Sequence, residues 1–151
     1  ADVLQKQLNN GLIPIVSPLS CDSSGTVLNI NADTVAAAIA AELDAEKLIL
    51  AMNVPGILDD SDDPSSLISY VDRAALDKLR VDGKLTDGML PKAAAIDAAL
   101  ANGVKRVHVI SYNLADSLLL EVFTNEGTGT LIVNDIAALT PAEAASNGKD
   151  S

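Results

Sequence analysis

The sequence predicts an α/β fold with a mostly parallel sheet, because segments typical of buried strands alternate with segments of helical periodicity. Short apolar runs at 12–17, 46–52 and 105–110 have the length and composition of buried strands. Longer segments at 31–43 and 89–101 carry apolar residues at helical spacing. Ligands in such folds bind beyond the carboxyl ends of the strands, so the loops there are the candidate sites.

The first third of the chain is predicted to contain a helix, a strand, a hairpin and a second helix. The first helix covers 1–10 and ends at Gly11, a residue typical of helix C-termini. A buried strand at 12–17 follows, and turn residues within 21–31 favour a hairpin. The second helix begins with Asn31 at its N-cap position.

The remaining elements alternate in the same way. The NVPG sequence at 53–56 ends the second strand abruptly. The further predicted elements are a short strand at 67–70, a helix at 72–81 capped by Asp72, the helix at 89–101, the strand at 105–110, a helix at 114–123 with Leu118, Leu119 and Val122 facing inward, and a last strand at 127–133. Residues 1–133 are predicted to form one domain and 134–151 a flexible tail.

Composition and charge exclude several classes of function. The 151 residues suffice for one domain, and 48% hydrophobic residues argue against a disordered chain. Aromatic residues make up 2% and the net charge is −11, so neither base stacking nor phosphate attraction favours nucleic-acid binding. No apolar run is long enough to span a bilayer. Since Cys21 is the single cysteine, no internal disulfide forms, and we expect a cytoplasmic protein.

Three segments at strand ends or helix starts are candidate sites: 29–33, 53–56 and 86–92. In the first, Asp33 lies in the first turn of a helix, whose positive N-terminus suits phosphate chemistry, although simple capping also explains it. In the last, Lys92 lies about one turn into a helix, where it would hold a phosphoryl group or be an ordinary surface lysine.

Other chemistry is not indicated. No P-loop or dinucleotide-binding glycine pattern is present, and the glycines at 127–129 precede a strand, which indicates a turn. His108 alternates within a strand without a second histidine, so no catalytic or metal role is expected. The acidic loop at 59–66 lacks the spacing of an EF-hand, and no metal site is predicted.

Taken in order, several stretches resemble the C-terminal, ATP-binding half of the acetylglutamate kinases, in the amino acid kinase family. They are IPIVSP at 13–18, LNINADT at 28–34, AEKLIL at 45–50, NVPGIL at 53–58, DPSSL at 63–67, TDGMLPK at 86–92, residues 103–110, and LLLEVFTNEGTGT at 118–130. The resemblance implies a three-layer αβα sandwich of the carbamate kinase-like type with a mostly parallel sheet, of which this chain would be the C-terminal half.

The same resemblance implies ATP-dependent phosphorylation of the side-chain carboxylate of N-acetyl-L-glutamate in arginine biosynthesis, with Mg²⁺ held mainly by phosphates and water. Asn29 would contact N-acetylglutamate, Asp33 would orient the catalytic lysines, and Lys92 would stabilise charge on the transferring phosphoryl group. The implied nucleotide-binding residues are Asn53, Val54, Pro55, Gly56, Ile57, Leu58, Leu85, Thr86, Asp87 and Gly88. The implied arginine-effector region contains Glu121, Glu126 and Gly129.

Two features depart from the family pattern. Asn53 stands where the family usually has an aspartate, which removes a charge beside the nucleotide. The family's N-terminal lysine and glycine-rich turns have no counterpart here. We therefore expect the chain to be inactive alone and to form homo-oligomers through the missing N-terminal half.

Three alternatives to an acetylglutamate kinase stay open. The chain would serve as the kinase-like, arginine-sensing domain of an N-acetylglutamate synthase, as a sister kinase for another small acid or nucleotide, or as a truncated chain with a binding or assembly role. Asn29, Asp33 and Lys92 favour the kinase, because a pure sensor has no need of them.

Overall fold

The computed structural model of the protein describes residues 2–86, 88–124 and 127–139. The helices in these ranges are α1 (Asp2–Asn9), α2 (Ala32–Glu42), α3 (Arg73–Val81), α4 (Leu90–Ala101) and α5 (Ser117–Phe123). The strands are β1 (Leu19–Cys21), β2 (Val27–Asn29), β3 (Lys47–Met52), β4 (Tyr70–Asp72), β5 (Arg106–Ser111) and β6 (Thr130–Val133). None of these helices is long and apolar enough to traverse a lipid bilayer.

A four-stranded sheet forms the centre of the fold, with the strand order β3-β5-β6-β4. β3 pairs with β5 and β4 pairs with β6 in parallel, whereas β5 and β6 run antiparallel. The prediction of a mostly parallel sheet is therefore confirmed. β1 and β2 form a separate antiparallel hairpin, as the turn residues between them predicted.

Helices cover both faces of the sheet. On one face, α4 packs between α2 and α3. Side chains alternate along β5, so Val107 and Val109 enter the aliphatic core together with α4 residues such as Ile96. His108 points to the opposite face, where it contacts Glu121 of α5. This arrangement gives three layers in the order helix, sheet, helix.

The predicted buried strand at 12–17 is wrong. The segment forms no regular element, and Ile13 and Ile15 are 90% and 98% exposed. The apolar composition of the segment favours burial, but a strand forms only where a neighbouring strand can pair with its backbone N–H and C=O groups. Within the described part of the chain, no strand pairs with this segment.

α5 begins later than predicted and presents a different face to the sheet. The three residues expected to face inward, Leu118, Leu119 and Val122, are 54%, 54% and 45% exposed. Ser117 and Glu121, which lie one turn apart, are buried instead. The buried polar contacts of Glu121 determine this rotation, a tertiary effect that apolar periodicity does not reveal.

Two further boundaries differ from the prediction. The strand expected at 67–70 forms at Tyr70–Asp72, and Leu67 makes only an isolated bridge to Leu58. A short 3-10 helix, Ile136–Ala138, falls within the segment predicted to be a flexible tail and contacts β4. Residues 140–151, the rest of that segment, lie outside the described residues.

Candidate functional site

The first turns of α2 and α4 lie side by side on one face of the sheet. Lys92 Nζ, in α4, donates a hydrogen bond to Asp33 Oδ2, in α2, at 2.8 Å. The two side chains are 25% and 19% exposed, so solvent screens this ion pair only in part. α2 and α4 contact each other, and small residues of both helices, such as Ala37 and Ala95, line a groove of about 580 Å³ between them.

Local sequence explains why both helices begin at this place. Asn31 caps α2, because its Oδ1 accepts hydrogen bonds from the backbone N–H groups of Asp33 and Thr34 at 2.9 and 3.2 Å. α4 begins with Pro91 in its first turn, and its N-cap residue Met89 provides no side-chain cap. The N–H of Leu90 donates to the carbonyl of Thr86 at 3.2 Å and Pro91 has no N–H, so α4 offers an anion the positive end of its dipole beside Lys92 rather than a row of free amides.

Asn29 lies near the N-terminus of α2. It is the last residue of β2, is exposed, and precedes the cap Asn31 by two residues. Because three residues of extended chain span at most about 10 Å, connectivity holds Asn29 close to the N-terminus of α2. The three residues assigned to the reaction centre are thus gathered at one end of the helix pair.

A mostly apolar slot of about 70 Å³ lies where the loop after β3 meets the turn before α4. Its lining residues are Val54, Gly56, Ile57, Leu58, Ser61, Lys84, Leu85, Thr86 and Met89. Six of the ten predicted nucleotide-binding residues are in this lining. Asn53, Pro55 and Gly88 lie beside it, and Asp87 lies outside the described residues.

Ser61, Lys84 and Met89 also line this slot, although no sequence pattern assigned them to it. Lys84 and Met89 directly flank the predicted segment, so a one-residue extension at each end would have included them. Ser61 comes from the acidic loop, which no local pattern connects to the slot. The ammonium of Lys84 pairs with Asp59, and this hydrogen bond raises the pKa of Lys84 above its ordinary value. Lys84 therefore keeps a positive charge at the rim of the slot.

Asn53, the position where an aspartate was expected, is exposed at the end of β3. Its backbone carbonyl accepts a hydrogen bond from Asn113 Nδ2 at 3.0 Å. Tyr112 N–H donates to the carbonyl of Met52 at 2.8 Å. The loops that follow β3 and β5 are therefore joined at the carboxyl ends of both strands.

The region assigned to an arginine effector is tightly packed. Glu121 Oε1 contacts His108 Nδ1, and Oε2 accepts hydrogen bonds from the N–H and hydroxyl of Thr128, both at 3.2 Å. Burial by itself raises the pKa of Glu121, but the hydrogen bonds from His108 and Thr128 outweigh it and lower the pKa below its ordinary value. Gly129 lies against β5, and Glu126 lies outside the described residues.

Within the described ranges, no group of three His, Cys, Asp or Glu side chains is arranged to hold a metal ion. Asp60 and Asp63 of the acidic loop accept hydrogen bonds from backbone N–H groups two residues later in the chain. These carboxylates stabilise the turns of their own loop.

Sequence comparison shows relatives that match almost the whole chain. The chain is 48% identical over 136 residues to acetylglutamate kinase from Methanosphaera stadtmanae, covering 87% of this chain and 46% of the relative. It is 46% identical over 134 residues to acetylglutamate kinase from Brachyspira hyodysenteriae, covering 89% and 46%. The chain thus spans about half the length of these curated relatives.

Structural comparison identifies the fold. The N-acetylglutamate synthase from Neisseria gonorrhoeae, complexed with coenzyme A and L-arginine, superposes with a TM-score of 0.79 at 28% identity, over 89% of this chain and 30% of the synthase. Carbamate kinase from Giardia lamblia bound to AMP-PNP has a TM-score of 0.69 at 19% identity, over 89% and 49%, and shares the fold. The sequence profile of the amino acid kinase family matches residues 1–111. The protein therefore belongs to the amino acid kinase family.

Proposed function

We propose that the chain is the ATP-binding, C-terminal half of an acetylglutamate kinase. The observation that carries this proposal is the ion pair between Lys92 and Asp33 beside the N-termini of α2 and α4. A lysine ammonium and two positive helix ends meet there, an arrangement suited to the negative charge of a transferring phosphoryl group. The 48% identity to an acetylglutamate kinase supports N-acetyl-L-glutamate as the phosphoryl acceptor.

Each part of the site has a separate task in this proposal. Lys92 stabilises charge on the phosphoryl oxygens, and Asp33 holds the Lys92 ammonium in place. Asn29 binds N-acetylglutamate by its amide, and the apolar slot receives the nucleotide base. The acceptor carboxylate is already ionised near neutral pH, so the reaction needs no general base.

Mg²⁺ would arrive with the phosphates of ATP and neutralise part of their charge. In this proposal the phosphate oxygens and water supply the ligands of Mg²⁺. The chain's own contribution to phosphate binding is therefore the helix ends and Lys92.

A complementary half-domain completes the active site in this proposal. Apolar side chains near the N-terminus are exposed, namely Leu12, Ile13, Ile15, Val16, Leu19, Val27, Leu28 and Ile30. Exposed apolar surface of this extent is typical of an interface. The half-length match to the relatives supports the same conclusion. That half-domain would also carry the contacts of a homo-oligomer.

Calorimetric titration with Mg-ATP tests the nucleotide part of this proposal. We expect saturable binding by the wild-type chain and about tenfold weaker binding by Lys92→Ala and Asp33→Ala, since hydrogen bonds to charged groups contribute about 1.5–3 kcal/mol. Lys105→Ala, which removes an exposed lysine before β5, is the matched control and should bind normally. A folded wild-type chain that does not bind Mg-ATP would refute the proposal.

A hydroxylamine-trapped acyl-phosphate assay tests the reaction. The chain alone should give no product, whereas the chain joined to the N-terminal half of a relative should phosphorylate N-acetyl-L-glutamate. Lys92→Ala should lower the kcat of the joined enzyme about 10²–10³-fold, as removal of one charge-stabilising donor does elsewhere. Turnover that is insensitive to Lys92 would contradict the assigned role.

An arginine-sensing domain of a synthase is the second candidate function. The similarity to the gonococcal synthase complexed with L-arginine favours it. The buried contacts of Glu121 count against a free effector site in the described residues. Calorimetry with both L-arginine and Mg-ATP separates the two candidates, because a sensor binds arginine and not Mg-ATP.

A further inference from the structure

The loop that follows β3 is held by a residue from the far end of the chain. Thr130, the first residue of β6, is 1% exposed, and its Oγ1 accepts a hydrogen bond from Ile57 N–H at 2.9 Å. The carbonyl of Ile57 accepts a second hydrogen bond, from Ile68 N–H, also at 2.9 Å. Both backbone polar groups of Ile57 are therefore fixed where the loop lines the apolar slot.

Two glycines allow this close contact. A Cβ at Gly56 would lie 2.6 Å from Thr130 Oγ1 and 2.7 Å from Leu67 Cδ1. A Cβ at Gly129 would lie 1.9 Å from the carbonyl oxygen of Val109, in the neighbouring strand. The absence of side chains at both positions lets the start of β6 touch the loop and β5 together.

The turn before Thr130 is fixed from the other face of the sheet. Glu121 accepts two hydrogen bonds from Thr128 and contacts His108 of β5. Thr130 therefore lies between two fixed parts of the structure, strand β6 after it and the hydrogen-bonded turn at Thr128 before it. Such rigid support preserves a binding loop in its ligand-ready shape.

We propose that Thr130 is a positioning residue for the nucleotide: its hydroxyl holds Gly56 and Ile57 in the conformation that forms the slot. The inference rests on the proposed nucleotide-binding function. Without the hydroxyl, the buried N–H of Ile57 loses its partner, and the loop moves to satisfy it.

The test compares Thr130→Val, which keeps the side-chain shape, with Thr130→Ser, which keeps the hydroxyl. Thr130→Val should bind Mg-ATP about tenfold more weakly, equivalent to about 1.4 kcal/mol, whereas Thr130→Ser should stay within about twofold of the wild type. Ile132→Val, a methyl deletion in the same strand, is the matched control: it removes packing from the core but keeps the Thr130 hydroxyl that bonds Ile57 N–H, and it should leave the affinity unchanged.

Amide hydrogen exchange provides a second readout. The Ile57 amide should exchange at least about tenfold faster in Thr130→Val than in the wild type, with no such local change in Ile132→Val. If Thr130→Val does not fold, Thr130→Ala against Thr130→Ser makes the same comparison, because this pair differs only in the hydroxyl.

The possible results separate the two proposals. A wild-type chain that does not bind Mg-ATP overturns the proposed function and this inference together. Equal affinities in the wild type and Thr130→Val, or an equal loss in Ile132→Val, overturn the inference alone. Weaker binding of Mg-ATP by Thr130→Val, together with nearly wild-type binding by Thr130→Ser, supports the inference.

Discussion

Replacement of Glu121 by alanine should remove a large share of the protein's stability. The Glu121 side chain is 4% exposed. One of its carboxylate oxygens contacts His108, and the other accepts hydrogen bonds from Thr128. Because an ionised carboxylate can only accept, the proton shared with His108 lies on Nδ1. The alanine variant leaves that donor without a partner in a buried site and also opens a cavity.

The expected loss follows from these contacts. The unpaired Nδ1–H of His108 costs about 1–3 kcal/mol and the cavity about 2 kcal/mol more, so the loss is about 3–5 kcal/mol of the roughly 5–15 kcal/mol that a domain of this size has in total. With a urea dependence of about 2 kcal/mol per molar, the unfolding midpoint should fall by roughly 2 M.

Equilibrium urea unfolding followed by circular dichroism measures this loss. Glu42→Ala, which removes an exposed glutamate at the end of α2, is the matched control and should change stability by no more than about 0.5 kcal/mol. The double variant His108→Leu with Glu121→Met should recover much of the loss, since an apolar pair needs no partner. A loss below about 1 kcal/mol in Glu121→Ala, with an unchanged denaturant slope, would refute the reasoning.

Three further predictions follow from the same contacts. The folded pKa of Glu121 is depressed, so the stability that its ionisation adds is complete above the ordinary glutamate pKa and is lost as pH falls through the folded value. The difference in urea midpoint between the wild type and Glu121→Ala should therefore begin to shrink only below about pH 4.5, and the part due to the cavity should remain. Gly129→Ala should lose about 3 kcal/mol or more in thermal unfolding, because its Cβ meets the Val109 carbonyl, whereas Gly88→Ala, with open space around it, should lose little. Asn31→Ala should cost about 1 kcal/mol in urea unfolding through loss of the α2 cap, and an unchanged midpoint would contradict that role.

Local sequence was sufficient where a structure depends on neighbouring residues. The caps Asn31 and Asp72 bond to N–H groups two or three residues away, so their side chains alone locate the starts of α2 and α3. The apolar run at β5 predicted the strand correctly. Every residue from 107 to 111 is buried, and a strand that is buried on both faces has such a continuous apolar sequence. The meeting of Asp33 and Lys92, in contrast, was implied only by resemblance to a family, since 59 residues separate them.

The sequence by itself therefore determined the α/β class, the starts of α2 and α3 and most of the segments that line the candidate site, because periodicity and capping act over a few residues. Tertiary structure alone decided that the segment at 12–17 stays exposed, that α5 turns Glu121 inward, and that Thr130 holds the loop at Ile57. Each of these depends on a partner that is distant in the chain or on the lack of one. Short-range patterns do not contain that information.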